Sequence, residues 1–187
     1  MKVILASTSP RRKELLEREG IDFIVDASSI TEYLDSSLEI EERLKKLAYD
    51  KGISIHEKYP DDVAISADTT IYHNGKIIGK AHSAHEAREI LKSLSNDTHS
   101  VFTSVAVFYK DQVCTFVDET KVTFKNISDM IDDYLSIDEW KGKAGAYAIQ
   151  GVAGKFIEEV QGDIDNVIGL PVKHVIEVIE TMNEKPL

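Results

Sequence analysis

The sequence has a single cysteine, fewer basic than acidic residues and no long apolar run, and each of these features excludes a class of protein. Its single cysteine, Cys114, rules out an intrachain disulfide framework and fits a reducing compartment. No window approaches the roughly 20 apolar residues of a membrane-spanning helix. The apolar run that follows Met1 is also far too short for a signal peptide. We therefore expect a cytoplasmic protein that is not embedded in a membrane.

The excess of acidic over basic residues makes the chain acidic. It has 22 Lys and Arg against 33 Asp and Glu, which gives a net charge of −11. Nucleic acids and anionic membranes attract positive surfaces, so we expect neither as a partner. A small anionic ligand stays open, because it needs only a local cluster of cations and backbone N–H groups.

Strand-like and helix-like segments alternate at both ends of the chain, whereas long β-rich runs occupy the middle. The predicted strands and their turns are 2–6, 21–25, 63–67, the hairpin around Asn74-Gly75, 101–109, 112–124 and 155–160. The predicted helices are Ser9 to Gly20, 38–57, 84–94, one capped by Ser128 and one opening at Pro171. This pattern predicts an α/β fold with a mixed central sheet and flanking helices, as a single domain over residues 1–187.

The first candidate site is the turn Ala6-Ser7-Thr8-Ser9-Pro10-Arg11-Arg12-Lys13, where a strand gives way to a helix. The N–H groups and the dipole at a helix start favour negative charge. A helix built only for stability would place Asp or Glu there, yet Arg11 and Arg12 occupy its first turn, and such a broken rule indicates function. The alternative is a solvated basic turn.

A carboxylate and two lysines form the next candidates. Asp68 follows the predicted strand 63–67, and α/β proteins usually bind ligands at such a strand end. It could bind a metal, accept a proton or cap a turn. Lys51 and Lys80 could add positive charge, although lone lysines are normally solvated.

Two glycine-containing segments complete the set. Residues 142–151 are dense in small residues, which let a backbone approach a ligand closely, and Gln150 offers an amide donor and acceptor. The alternative is a tight loop with a solvent-facing glutamine. Residues 166–171 contain Gly169 and Pro171 and form either a second anion-binding turn or a plain joint into the last helix.

In order and spacing these segments resemble the Maf family of nucleotide pyrophosphatases over nearly the whole chain. The matching stretches are 5–16, 67–69, 79–80, 143–147, 149–151 and 169–171. The resemblance implies an elongated fold like that of inosine triphosphate pyrophosphatases, with two lobes around a cleft. It also implies cleavage between the α and β phosphates of a nucleoside triphosphate, a divalent cation (Mg²⁺, with Mn²⁺ or Co²⁺ as alternatives), and frequent homodimers.

The resemblance also suggests a role for each candidate residue. The expected substrate-binding residues are Ser7, Arg11, Arg12, Lys51, Thr69, Lys80 and Gln150. Glu32 and Asp68 are expected to hold the metal, and Asp68 to accept the proton of the attacking water. Thr31 stands where the family usually has Asp, which removes one acidic group beside Glu32.

Three positions concern the choice of nucleobase in the substrate. Arg11, Thr69 and Gln150 resemble the branch of the family that acts on dTTP and UTP, whereas the branch that takes methylated GTP has Trp, Gln and Glu there. Uracil and thymine present a carbonyl beside an N–H group, and the Gln150 amide can match both. We expect dTTP and UTP to be preferred. Two alternative functions stay open. One is a purine-selective pyrophosphatase of the same fold type, and the other is a non-enzymatic regulator of septum formation.

Overall fold

The structure is a computed structural model that describes residues 2–27, 29–30, 34 and 36–184. The strands are β1 (Val3–Leu5), β2 (Phe23–Val25), β3 (Val63–His73), β4 (Lys76–Ile78), β5 (Thr98–Tyr109), β6 (Gln112–Phe124) and β7 (Ile157–Gln161). The α-helices are α1 (Pro10–Arg18), α2 (Ile40–Lys58), α3 (Ala84–Leu94), α4 (Ile131–Ser136), α5 (Ile164–Ile168) and α6 (Val172–Glu184), and a 3-10 helix spans Val152–Phe156. None of the described helices has both the length and the apolarity to cross a membrane.

The strands form one mixed sheet. Its order is β2-β1-β3-β5-β6-β7, and β4 pairs with β3 off this path. β1 runs parallel to both of its neighbours, β2 and β3, whereas the β3–β4 and β6–β7 pairs are antiparallel. Helices flank this sheet, so the expected mixed α/β fold class is confirmed.

The chain divides into two compact units. Unit 1 comprises Met1–Asp68, Thr103–Asp118 and Gly169–Leu187, and unit 2 comprises Thr69–Phe102 and Glu119–Ile168. In unit 1, an apolar cluster joins α2 to β1, β3 and β5. In unit 2, a larger cluster joins α3 and α4 to the strands and contains five aromatic residues, Phe124, Tyr134, Trp140, Tyr147 and Phe156.

Local signals explain where most of these elements begin and end. Pro10 opens α1 with its fixed φ, and Gly20, at φ 70°, lies just past its end. The Ser83 hydroxyl accepts a hydrogen bond from the N–H of Glu86 at the start of α3. Asn74 and Gly75 both have positive φ, 49° and 76°, as the predicted two-residue hairpin requires.

The structure corrects four element boundaries. The predicted strand 63–67 and the first strand of the hairpin are one strand, β3, which runs without a break to His73, since Thr69 and Thr70 are β-branched residues that suit a strand. Asp68 therefore lies inside the strand. Ser128 does not cap α4, because its hydroxyl donates to Oδ1 of Asn126 at 2.8 Å and the helix begins three residues later, at Ile131. The other two corrections are the 3-10 helix over Val152–Phe156, which delays the last strand to Ile157, and the short α5 within the segment expected to be a loop.

Candidate active site

Unit 1 places a serine and an arginine in contact at the start of α1. Ser7 follows β1 and is buried, and its Oγ accepts hydrogen bonds from Nη1 of Arg12 at 2.9 Å and from the N–H of Ser9 at 3.3 Å. Nε of Arg12 donates to the carbonyl of Gly169 at 2.8 Å. The two segments predicted as anion-binding turns, 157 residues apart, therefore meet at the Arg12 guanidinium.

Arg11 carries a buried donor. Its Nε is buried, and none of the described residues accepts a hydrogen bond from it. Burial lowers the pKa of Arg11 from its ordinary value, while the nearby charge of Glu14 opposes that shift. A buried donor without an acceptor costs about 1–3 kcal/mol and is rare in folded proteins. The Arg11 guanidinium is thus not fully solvated, and an anionic oxygen would satisfy this donor.

Lys51 and Asp68 form an ion pair in the same unit. Nζ of Lys51, on α2, lies 2.5 Å from Oδ1 of Asp68, on β3, and both side chains are only 19% exposed. Gly52 allows α2 to approach the sheet, because a Cβ there would lie 2.4 Å from Cε2 of Phe108 and 2.5 Å from Oγ of Ser66. Lys51 is therefore not an isolated solvated lysine, and Asp68 does not cap a turn.

The strand register relates Asp68 to Ser7. Leu5, the last residue of β1, pairs with Ile65 of the parallel β3, and the N–H of Ala6 donates to the Ile65 carbonyl at 2.8 Å. Ser7 and Asp68 follow this pair, so both lie past the carboxyl end of β1, where α/β folds commonly bind ligands. Unit 1 thus brings the serine–arginine turn and the Lys51–Asp68 pair to one end of a parallel strand pair.

Sequence reasoning missed one polar residue beside Asp68. Ser104 is buried on β5, and its Oγ lies 3.5 Å from the backbone carbonyl of Asp68. The signal was present, since Thr103 and Ser104 interrupt the apolar run of that strand. A hydroxyl at this position supports the backbone of the carboxylate without touching the carboxyl group itself.

Unit 2 contains Thr69, Lys80 and Gln150. Thr69 is half-buried on β3, while Lys80 and Gln150 are exposed. Lys80 forms an isolated antiparallel bridge with Ala144, and the N–H of Gly145 donates to the carbonyl of Gly79 at 3.0 Å. The glycine-rich segment thus pairs with the segment that carries Lys80, a contact that sequence reasoning did not predict.

The two expected metal ligands are Glu32 and Asp68. Glu32 lies outside the described residues. The part of the chain that is described contains no group of three or more His, Cys, Asp or Glu side chains that could hold a metal ion. Asp68 is therefore the one expected ligand whose surroundings are known.

Comparison with known proteins assigns the sequence to a family. The profile of the Maf-like protein family matches residues 2–182. A dTTP/UTP pyrophosphatase of Pyrococcus abyssi is 44% identical over 179 residues, which cover 95% of each chain. Enzymes of the same name from Pyrococcus furiosus and Bacillus cereus are 42% and 38% identical over 180 and 183 residues, covering 96% and 97% of this chain and 94% and 96% of theirs. The chain belongs to the Maf-like protein family.

Proposed function

We propose that this chain hydrolyses nucleoside triphosphates, with dTTP and UTP preferred, to nucleoside monophosphate and pyrophosphate. The observation that carries the proposal is the buried donor of Arg11, which lacks an acceptor among the described residues, beside the Ser7–Arg12 pair. In a chain of net charge −11, such a local cation cluster at a helix start suits a small polyanion. Three relatives, aligned over nearly their full length, are named dTTP/UTP pyrophosphatases, which supports the same reaction.

The basic side chains are assigned to binding of the triphosphate. A triphosphate carries about four negative charges near neutral pH, so its hydrolysis depends on positioning and charge neutralisation. Arg11 and Arg12 would hold phosphate oxygens, with Ser7 keeping the Arg12 guanidinium in place through the 2.9 Å hydrogen bond. Lys51 and Lys80 would add positive charge along the phosphate chain.

Asp68 is the proposed centre of the chemistry. Mg²⁺ binds through one or two carboxylates together with substrate phosphates and waters, so a single described carboxylate fits its donor requirements. Asp68 would hold the cation with the phosphates, and Glu32 would be a further ligand. A bound divalent cation, whether Mg²⁺, Mn²⁺ or Co²⁺, neutralises phosphate charge and lowers the pKa of a coordinated water.

The proposed reaction is a displacement at the α-phosphorus. Water attacks that atom, its proton passes to the Asp68 carboxylate, and the bond from the α-phosphorus to the oxygen bridging to the β-phosphorus breaks. Pyrophosphate leaves with that oxygen, and the water oxygen remains on the monophosphate. Asp68 is half-buried beside Lys51, so the carboxylate that takes the proton is held in a fixed place by the 2.5 Å contact.

Base preference is assigned to Gln150, with Arg11 and Thr69 as further specificity residues. The exposed Gln150 amide can donate to a pyrimidine carbonyl and accept from the adjacent N–H. Neutral Thr69 adds no charge that would favour a cationic methylated base. The cytoplasm as location and a homodimer as assembly belong to the same proposal, supported by the lone cysteine and by family membership.

A substrate panel tests the proposal. The purified chain is incubated with Mg²⁺ and dTTP, UTP, ATP, GTP or methylated GTP, and the phosphate products are separated. We expect pyrophosphate as the first product and the highest kcat/KM for dTTP and UTP. Orthophosphate as the first product would reject the reaction, and a purine triphosphate with the highest kcat/KM would reject the base assignment. Absence of hydrolysis across the panel would favour the non-enzymatic regulator.

A further inference from the structure

Gln150 is exposed, so its position depends on the backbone of the loop that carries it. This Gln150 loop, residues 142–152, contains three residues with positive φ: Gly142 at 72°, Gly145 at 68° and Ala146 at 60°. A left-handed conformation is unfavourable for alanine because its Cβ crowds the following carbonyl. It persists only where the surrounding structure holds it. The contacts that hold this loop therefore decide where Gln150 lies.

On the amino-terminal side of Gln150, the loop is held by Tyr147. This side chain is buried, and its hydroxyl lies 2.7 Å from Nε2 of His99 on β5. Its ring also packs edge-on against Phe124, with ring centroids 4.8 Å apart. The Tyr134 hydroxyl donates to the carbonyl of the strained Ala146 at 3.0 Å. This half of the loop is thus fixed to the buried core of unit 2.

On the carboxyl-terminal side, the loop is held by a carboxylate. Oε2 of Glu139 accepts a hydrogen bond from the N–H of Val152 at 2.9 Å. The same carboxylate lies over Gly151, where an added Cβ would be 2.3 Å from Oε2. Lys143 donates to the backbone carbonyl of Glu139 at 2.5 Å, which ties the residue that holds the loop to the loop itself. Glu139 therefore contacts both residues that follow Gln150.

We propose that Glu139 is a positioning residue for base selection, which acts by fixing the backbone of Gln150 through its contacts with Gly151 and Val152. The inference rests on the proposed function, because it assigns Glu139 to the preference for dTTP and UTP. Glu139 is only half-buried, precedes the loop in sequence and is not part of the apolar cluster, so its contact supports the loop more than the core. The Tyr147–His99 contact provides the opposite anchor, so that loss of Glu139 frees one side of Gln150.

The test compares Glu139→Ala with Glu139→Gln. The glutamine retains a side-chain oxygen that can accept from the Val152 N–H, whereas alanine does not. Glu158→Ala, which removes an exposed glutamate from β7 of the same unit, is the matched control. For each protein we would measure kcat and KM for dTTP, UTP, ATP and GTP, and the hydrogen-exchange rate of the amides of residues 148–152.

We expect Glu139→Ala to reduce the ratio of kcat/KM for dTTP over ATP by about tenfold, mainly through KM, since a charge-assisted hydrogen bond is lost. Exchange of the Val152 amide should accelerate by a similar factor, while Glu139→Gln and Glu158→Ala stay near wild type in both measurements. An unchanged ratio or an unchanged exchange rate in folded Glu139→Ala would overturn the inference. A wild-type chain with no pyrimidine preference would reject the proposed base assignment and, with it, the role of Glu139 in selection. The exchange rates would then report only whether Glu139 holds the loop.

Discussion

In unit 1, Arg12 and Lys51 make direct side-chain contacts with other candidate residues, whereas in unit 2 Gln150 is exposed on a loop that other residues hold in place. Arg12 bonds to Ser7 and Gly169, and Lys51 pairs with Asp68, through direct side-chain contacts. In unit 2, Gln150 is exposed, and a buried aromatic cluster fixes the loop that presents it. The contacts in unit 1 fix the positions of charged groups, whereas those in unit 2 fix the conformation of a loop.

This difference assigns separate effects to the two units. A change among the contacting charges of unit 1 should reduce turnover of every triphosphate, because all share the same phosphates. A change in the Gln150 loop should alter the ranking of bases while leaving the chemistry of the phosphates in place. Substitutions in the two units test this division, beginning with the one that has the largest expected effect.

The largest effect is expected at Asp68. Asp68→Asn should lower kcat by roughly 10²-fold or more for all substrates, because general-base catalysis alone contributes that much. The amide is nearly isosteric, so the protein should still fold. Steady-state kinetics with dTTP and ATP would check this, with Asp111→Asn, an exposed carboxylate in the turn between β5 and β6, as the control. A loss below tenfold in a folded protein would remove Asp68 from its role.

Gln150→Glu should change preference without a comparable loss of turnover. The carboxylate cannot donate to a pyrimidine carbonyl, and unmet polar groups in such sites cost up to about 10⁴-fold in discrimination. Because Gln150 is exposed, we expect about 30-fold, seen as a smaller ratio of kcat/KM for dTTP over ATP. Gln161→Glu adds the same charge elsewhere in unit 2 and should leave the ratio unchanged. Equal losses for both nucleotides would contradict the division between the units.

Gly52→Ala should disturb the Lys51–Asp68 pair through packing alone. The added Cβ would meet Phe108 and Ser66 at 2.4 and 2.5 Å, so either α2 or these two side chains must shift. Overpacking of this kind costs about 1–3 kcal/mol of unfolding free energy. We expect a several-fold lower kcat for every substrate and a lower Tm, whereas Glu57→Ala, exposed on the same helix, should change neither. Wild-type kcat and Tm would show that the close approach of α2 is unnecessary.

The smallest effect at neutral pH concerns His99. Burial lowers the pKa of His99 from 6.5 to about 4. Between pH 6.5 and pH 4, His99 is therefore protonated in the unfolded chain but neutral in the folded chain. The neutral histidine therefore costs no stability above pH 6.5, and stability falls as the pH drops towards 4, by roughly 3 kcal/mol in total. Urea unfolding at pH 7.5, 5.5 and 4.5 should show a shallower decline for His99→Gln than for wild type. Parallel declines would contradict this assignment.

Sequence signals predicted the elements whose cause is local. The Asn74-Gly75 hairpin and the Pro10 helix start depend on neighbouring residues alone, and the structure contains both. The break predicted after residue 67 was wrong because the polar residues Asp68 and Thr69 suggest a turn. The structure continues β3 through these residues to His73, and the pairing of β3 with β5 is one that no local pattern encodes.

The candidate site was also only partly predictable from the sequence. The family resemblance named Arg12 and Lys51, but their partners could not be read from spacing. Gly169 lies 157 residues from Arg12, and the Lys51–Asp68 pair depends on the close packing that Gly52 permits. Glu139 carried no signal, since its contact with the Gln150 loop arises from loop conformation.

Hydrolysis of dTTP in ¹⁸O-labelled water tests the proposed reaction most directly. The chain is incubated with dTTP and Mg²⁺ in labelled water, and the products are analysed by mass spectrometry. Attack of water at the α-phosphorus predicts one ¹⁸O atom in thymidine monophosphate and none in the pyrophosphate. Label in pyrophosphate or in orthophosphate, with unlabelled thymidine monophosphate or diphosphate, would contradict attack at the α-phosphorus.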